Sequence, residues 1–131
     1  MASGIADYAE NKILDHSLGK ASWTMPTAYI ALYTAAPGDA GGGTEVTGGS
    51  YARYTTSAAT WNSASAGSIS NAVDIVFTTA TANWGTIVSV AILDAVTVGN
   101  FIWWGDLFAS KVVNNGDVFD SDVGFIEDDS P

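Results

Sequence analysis

The chain has 131 residues, with 14 acidic side chains against four basic ones and a formal net charge of −10 at pH 7. Its length fits a single domain with one core, and a hydrophobic content of 47% with five each of Trp, Tyr and Phe excludes a wholly disordered chain. The negative charge repels phosphate groups, so we expect neither nucleic acid nor an anionic membrane as a partner. Because the chain contains no Cys, disulfides and thiolate metal sites are excluded.

The N-terminal residues predict one helix, over residues 4–18. A capping residue, Ser3, precedes it, and a stop signal, Gly19, follows its last apolar side chain. Apolar side chains at four-residue spacing form a stripe along it: Ile5, Ala9 and Ile13. We therefore expect an N-terminal helical element, residues 1–19, that packs on or next to the sheet of its own chain, or against another subunit.

Short β-rich runs separated by turn signals follow, and they predict a single β domain over residues 20–131. The candidate strands are residues 29–34, 51–56, 69–77, 87–93, 101–108 and 118–126. The run 87–93 is apolar on both sides, as in a strand at the centre of a sheet. The apolar window 87–104 approaches the length of a membrane span, but Asp94 and a Gly-Asn turn interrupt it, so two strands and a turn explain it better.

The predicted fold class is therefore mainly β: an antiparallel β-sandwich or jelly roll with one N-terminal helix and a Gly-rich extended loop. That loop, residues 38–49, has almost nothing apolar to bury except Val46, so we expect it to become ordered only against a neighbouring molecule. Residues 117–131 form an acidic C-terminal segment that contains no basic side chain.

The sequence contains no residue pattern that indicates catalysis. The single histidine, His16, is adjacent in sequence to Asp15 and Ser17, but neighbours on a helix point about 100° apart and cannot form a triad. Carboxylates that could form a glycosidase pair are scattered over different predicted elements: Asp74, Asp94 and Asp106. We expect a protein that is not an enzyme and that uses no cofactor.

Aspartates near the C-terminus have a calcium-loop composition, but their spacing lacks the Gly and the closing Glu of an EF-hand: Asp117, Asp120 and Asp122. We therefore expect no metal site. Asp94 and Asp117 have a simpler explanation, because short carboxylates near turns bond local amides.

Several short motifs in this sequence together resemble those of a known protein family. They are KILDH at 12–16, YIALYTAAP at 29–37, GGTEV at 42–46, YAR at 51–53, IVFTTATANWGT at 75–86 and KVV at 111–113. As a set they resemble a family of small tailed-phage virion proteins, usually labelled tail fibre proteins. The resemblance implies a β-sandwich in the virion and no catalytic motif. Asp106 departs from the family pattern, which has a small or apolar residue after the Trp-Gly step more often.

Within the virion, we expect first a capsid decoration (cement) protein that reinforces the shell through subunit contacts. The alternatives are a tail, adaptor or fibre-base component, and a carbohydrate-binding module. The expected partner is the major capsid protein or another virion structural protein, and symmetry favours a homo-oligomer, with a trimer as the leading expectation.

Candidate contact residues occur on the helix, the loop and the β domain: Ile5, Tyr8, Ile13, Thr44, Glu45, Val46, Arg53 and Trp104. Trp103 and Trp104 are consecutive, so in a strand one faces the core and the other faces a second layer, a subunit or a ligand. Arg53 is the single arginine of the chain. Its guanidinium requires an acidic partner, either in a neighbouring subunit or in its own domain.

Overall fold

Antiparallel strand pairing organises most of the chain. A computed structural model describes residues 3–121 and 127–129. Its elements in chain order are β1 (Ser3–Ile5), α1 (Asp7–Ser17), β2 (Tyr29–Ala35), β3 (Thr44–Glu45), β4 (Tyr54–Thr55), a 3₁₀ turn (Ala58–Thr60), β5 (Ser68–Ser70), β6 (Ile75–Val76), β7 (Gly85–Leu93), β8 (Phe101–Val113), β9 (Asp120–Ser121) and β10 (Glu127–Asp129). The prediction of a mainly β, antiparallel fold with one N-terminal helix is confirmed.

The main sheet has six strands in the order β1-β8-β7-β2-β3, and β4 pairs with β2 beside β3. Strand β7 is central, as its two-sided apolar sequence predicted, with β8 on one side and β2 on the other. Two small antiparallel pairs complete the described residues: β5 with β10, and β6 with β9.

The largest core cluster lies between the main sheet and the residues around the β6–β9 pair. Ile30 and Leu32 of β2 contribute from the sheet, and Phe77 and Phe119 contribute from the opposite layer. The rings of Phe77 and Phe119 meet edge to face, with centroids 5.7 Å apart. A second, smaller cluster on the other face of the sheet contains Ala31, Tyr33, Ala91 and Leu93. Two apolar layers packed in this way are consistent with a β-sandwich.

The helix begins later than the sequence predicted. Residues 3–5 pair with β8 as strand β1, with Ser3 opposite Gly105, and α1 starts at Asp7. The N-cap is Ala6, which has no side-chain cap, so the prediction that Ser3 caps the helix is wrong. The cause is tertiary: β8 supplies hydrogen bonds to this backbone, including Ala6 N–H to the Ile102 carbonyl at 2.8 Å, and these outweigh local helix propensity.

Strand boundaries elsewhere also differ from the prediction: β4 covers only Tyr54–Thr55 of the predicted strand 51–56, and β8 extends to Val113. The predicted strand 69–77 is divided into β5 and β6 around the buried Asn71, whose amide donates to the Val73 carbonyl at 2.8 Å. Of the predicted strand 118–126, only β9 is seen, because residues 122–126 lie outside the described part of the chain. The window 87–104 is confirmed as two strands and a turn. Across the described residues, no helix has the length and apolar character that a membrane crossing needs.

Candidate functional site

The Gly-rich loop folds back onto the sheet of its own chain. Its strand β3 pairs with β2, placing Glu45 opposite Tyr33, and Val46 donates its N–H to the Leu32 carbonyl at 3.0 Å. The Val46 side chain is buried in the main core. This corrects the expectation that the loop becomes ordered only against a neighbour: one apolar anchor and a strand register suffice to order it.

Arg53 forms a paired interaction with Glu45. The guanidinium donates from Nε to Oε2 and from Nη2 to Oε1, both at 2.8 Å, and the Arg53 side chain is only 4% exposed. Its Nη1 also donates to the carbonyl oxygens of Ala95 at 2.7 Å and Val98 at 2.9 Å. The required acidic partner therefore lies within the same chain, and a single guanidinium joins the Gly-rich loop to the turn after β7.

Tyr51 completes what we call the Glu45 network, which consists of Glu45, Tyr51 and Arg53. The Tyr51 hydroxyl donates to Glu45 Oε2 at 2.6 Å and accepts the Leu32 N–H at 3.0 Å. Burial alone would raise the pKa of Glu45, but hydrogen bonds from Arg53 and Tyr51, together with the Arg53 charge, lower it below its ordinary value. Burial and the neighbouring carboxylate raise the pKa of Tyr51. The network therefore holds one carboxylate, one guanidinium and one neutral phenol.

A cleft of about 310 Å³ lies beside the Glu45 network. The backbone of loop glycines forms part of its wall. The side chains that line it are Tyr33, Glu45, Arg53, Leu93, Val98 and Phe101. The Tyr33 and Phe101 rings are neighbours, with centroids 5.9 Å apart. Burial, supported by the Glu45 charge and opposed by Arg53, raises the pKa of Tyr33 to about 12, so this wall carries a neutral phenol at neutral pH.

The other predicted contact residues are distributed over separate parts of the molecule. Trp104 donates from Nε1 to Asp39 Oδ1 at 2.8 Å, which attaches the start of the Gly-rich loop to β8. Ile5 is half-buried in β1, Tyr8 packs edge to face on Trp23 at 6.5 Å, and Ile13 is exposed on α1.

The predicted contact residues therefore do not form one surface. Thr44, Glu45, Val46 and Arg53 come together, but the last two are buried within the chain and offer no direct contact surface. Residues missed at the sequence level include Tyr33, Tyr51 and Phe101. In the predicted strand 51–56, alternation would put Tyr51 and Arg53 on the same side, and this signal could have linked the two residues. Only the fold brings Tyr33 and Phe101 beside them.

An irregularity in β8 exposes another residue that the sequence did not indicate. Ile87 pairs with Lys111 and Ser89 pairs with Asp106, so residues 107–110 of β8 have only Val88 opposite them and form a bulge of several residues. Phe108 in this bulge is 91% exposed. Because aromatic side chains are enriched in protein–protein interfaces, Phe108 is a candidate contact residue.

The aspartates at turns behave as predicted. Asp94 accepts the backbone N–H of Asn100 at 2.7 Å, and Asp117 accepts that of Asn114 at 2.9 Å. Both carboxylates therefore stabilise local turns, which confirms that explanation for them.

Comparison with known families gives a match over most of the chain. A family model described as podophage GP4 fiber I protein gp80 matches residues 4–127, nearly the whole chain. A search of curated proteins finds no match. The match is to a fibre protein and gives no support to capsid decoration specifically, which was the leading expectation from the sequence. The chain belongs to the podophage GP4 fiber I protein gp80 family, and it is a structural protein of the phage particle.

Proposed function

We propose that this protein is a component of the tail and fibre apparatus of the virion and that it acts by protein–protein contact without catalysis. The observation that carries the proposal is the family match to a fibre protein over residues 4–127. Of the alternatives that the sequence left open, a tail or fibre-base component agrees best with this match.

The folded state of the Gly-rich loop also supports the proposal. A loop that becomes ordered only against a neighbouring molecule would favour capsid decoration, where a shell protein supplies that neighbour. In the structure, β3 pairs with β2 and the Glu45 network holds the loop in place. The loop therefore needs no lattice to become ordered, and it gives no support to a shell protein.

Exposed apolar side chains supply contact area for a partner. One group lies on α1 and the segment after it: Ile13, Leu14, Leu18 and Met25. A second group lies on β8, where Phe108 and Val112 are exposed. Apolar groups of this kind favour association with another protein surface. We propose that the partner is another virion structural protein or a further copy of this chain, with a trimer as the favoured copy state.

The location can be tested on purified particles. Quantitative mass spectrometry should find about six to a few tens of copies per particle, as the symmetry of a tail requires. Antibody labelling in electron micrographs should place the protein at the tail. A count on the order of hundreds of copies, with label spread over the shell, would instead identify a decoration protein and overturn the proposal.

A further inference from the structure

We propose that the cleft beside the Glu45 network binds a neutral, hydroxyl-rich ligand, a mono- or disaccharide unit of a glycan. The inference goes beyond the contact function and does not rest on it, because binding is a property of the single chain wherever it sits in the particle. The cleft has a volume of about 310 Å³, which is at the lower end of the range of small-ligand pockets, roughly 300–1,000 Å³.

The first observation is a tyrosine hydroxyl that no described residue pairs with. Tyr33 is 3% exposed and lines the cleft, and its hydroxyl has no hydrogen-bond partner among residues 3–121 and 127–129, although the oxygen is not sealed from solvent. The oxygen can therefore bond water, and a ligand hydroxyl can take the place of that water. Since the described residues supply no partner, this group is available to donate to, and accept from, a ligand that enters the cleft.

The second observation is a fixed acceptor. Glu45 lines the cleft, its side chain is 23% exposed, and Oε1 accepts one hydrogen bond, from Arg53. A carboxylate oxygen can accept more than one, so capacity remains for a ligand hydroxyl. Because Arg53 and Tyr51 already fix this carboxylate, it needs little further ordering when a ligand binds.

The third observation is the apolar part of the wall. Phe101, Leu93 and Val98 lie around the same cleft as the two polar groups. A pyranose has the matching composition, since its C–H faces pack on aromatic and aliphatic groups while its hydroxyls both donate and accept. The cleft therefore combines an apolar wall with a small number of positioned polar groups.

Other ligand classes fit less well. An anion meets a chain of net charge −10, and the Arg53 charge is already matched by Glu45. A cation would have to compete with Arg53 for the same carboxylate. A wholly apolar ligand would leave the Tyr33 hydroxyl unpaired and cover the Glu45 carboxylate, and both effects cost binding free energy.

Saturation-transfer NMR on the full purified chain tests the inference. The probes are glucose, galactose, N-acetylglucosamine, maltose and lactose, with glucuronic acid as the anionic comparison. We expect at least one neutral sugar to bind with a Kd on the order of 1 mM, the weak range of a small solvent-exposed site. Tyr33→Phe removes only the hydroxyl and should weaken that binding about tenfold. The control, Tyr29→Phe, makes the same change on the same strand outside the cleft and should leave the Kd unchanged.

Several outcomes would overturn the inference. They are the absence of transfer from every neutral sugar, stronger binding of glucuronic acid than of glucose, and equal binding by wild type and Tyr33→Phe. Thermal melting of both tyrosine variants establishes that each is folded before binding is compared. A tail location with no sugar binding would contradict this inference alone, and sugar binding with a shell location would contradict the proposed tail location alone.

Discussion

At the residue scale, the Glu45 network contains an ion pair between two side chains that are largely buried, Arg53 and Glu45. Arg53 uses Nε and both terminal nitrogens in hydrogen bonds to one carboxylate and two carbonyl groups. A guanidinium suits this position because its rigid fork matches a carboxylate and remains charged when buried. One side chain therefore fixes the relative positions of segments that are distant in sequence.

Substituting Arg53→Met should destabilise the protein by about 2–4 kcal/mol. The change leaves Glu45 without its counter-ion in a half-buried position, and breaking a fully buried pair costs about 3–5 kcal/mol; the partial exposure of Glu45 reduces that figure. Urea unfolding followed by tryptophan fluorescence measures the difference. Lys20→Met, which removes an exposed cation, should change stability by no more than about 0.5 kcal/mol. Equal losses in the two variants would contradict the role assigned to Arg53.

Stability should also depend on the ionisation of Glu45. Its pKa is lower in the folded chain than its ordinary value, so the folded state binds this proton less readily than the unfolded state. The contribution is therefore complete above the unfolded pKa, about 4.3, and is lost as the pH falls through the folded pKa. In urea unfolding between about pH 6 and about pH 3, Glu45→Gln should lose less stability than wild type. The exposed control Glu10→Gln should follow wild type, and parallel curves for Glu45→Gln and wild type would refute the prediction.

At the element scale, the Gly-rich loop depends on glycine at one tight approach to β2. A Cβ at Gly43, where φ is +76°, would lie 2.6 Å from the Ala35 carbonyl oxygen. At its neighbour Gly42, φ is +85° and an added Cβ would have nothing within 4 Å. The two glycines share a left-handed backbone but differ in the space around them.

This difference predicts unequal alanine substitutions. Gly42→Ala should cost about 1 kcal/mol, which is the conformational penalty alone. Gly43→Ala should cost about 2–4 kcal/mol, because a steric clash with backbone adds to that penalty. Thermal and urea unfolding of both variants give the comparison. If the two variants prove equally stable, then the loop does not pack on β2 as described.

The exposure of Phe108 in the β8 bulge allows a test of partner contact that leaves the stability of the fold unchanged. Phe108→Ser removes a side chain that is 91% exposed, so the free energy of unfolding should change by no more than about 0.5 kcal/mol. If Phe108 contacts a partner, incorporation of the variant into particles should fall several-fold, as measured by mass spectrometry. Val96→Ser, another exposed apolar residue, is the control and should be incorporated like wild type. Normal incorporation of Phe108→Ser would remove the bulge from the contact surface.

At the scale of the whole molecule, the net charge of −10 opposes close approach of copies. If the chain forms a homo-oligomer through apolar contacts, salt should strengthen the association by screening this repulsion. Sedimentation at about 10 mM and about 500 mM salt tests the expectation, because the Debye length falls from about 30 Å to a few Å over this range. An oligomer that dissociates as salt rises would instead indicate an interface held by ion pairs.

The sequence by itself determined the fold class, the central position of β7 and the turns at Asp94 and Asp117. Each of these depends on local information: apolar runs, strand periodicity and short side chains that bond nearby amides. The composition of the Gly-rich loop predicted that it becomes ordered only against a neighbouring molecule. This expectation is wrong because the strand that pairs with the loop, β2, lies outside it in sequence.

Only the tertiary structure decided where α1 begins, which partner Arg53 takes and which side chains surround the cleft. Residues 3–5 form a strand because β8 lies beside them. Arg53 meets Glu45 because β3, which contains Glu45, and β4, which directly follows Arg53, both pair with β2. Tyr33 and Phe101 are 68 positions apart in the chain and become neighbours through the pairing of β2, β7 and β8. Hydrogen bonds and packing between distant segments outweigh local propensities of a fraction of a kcal/mol per residue.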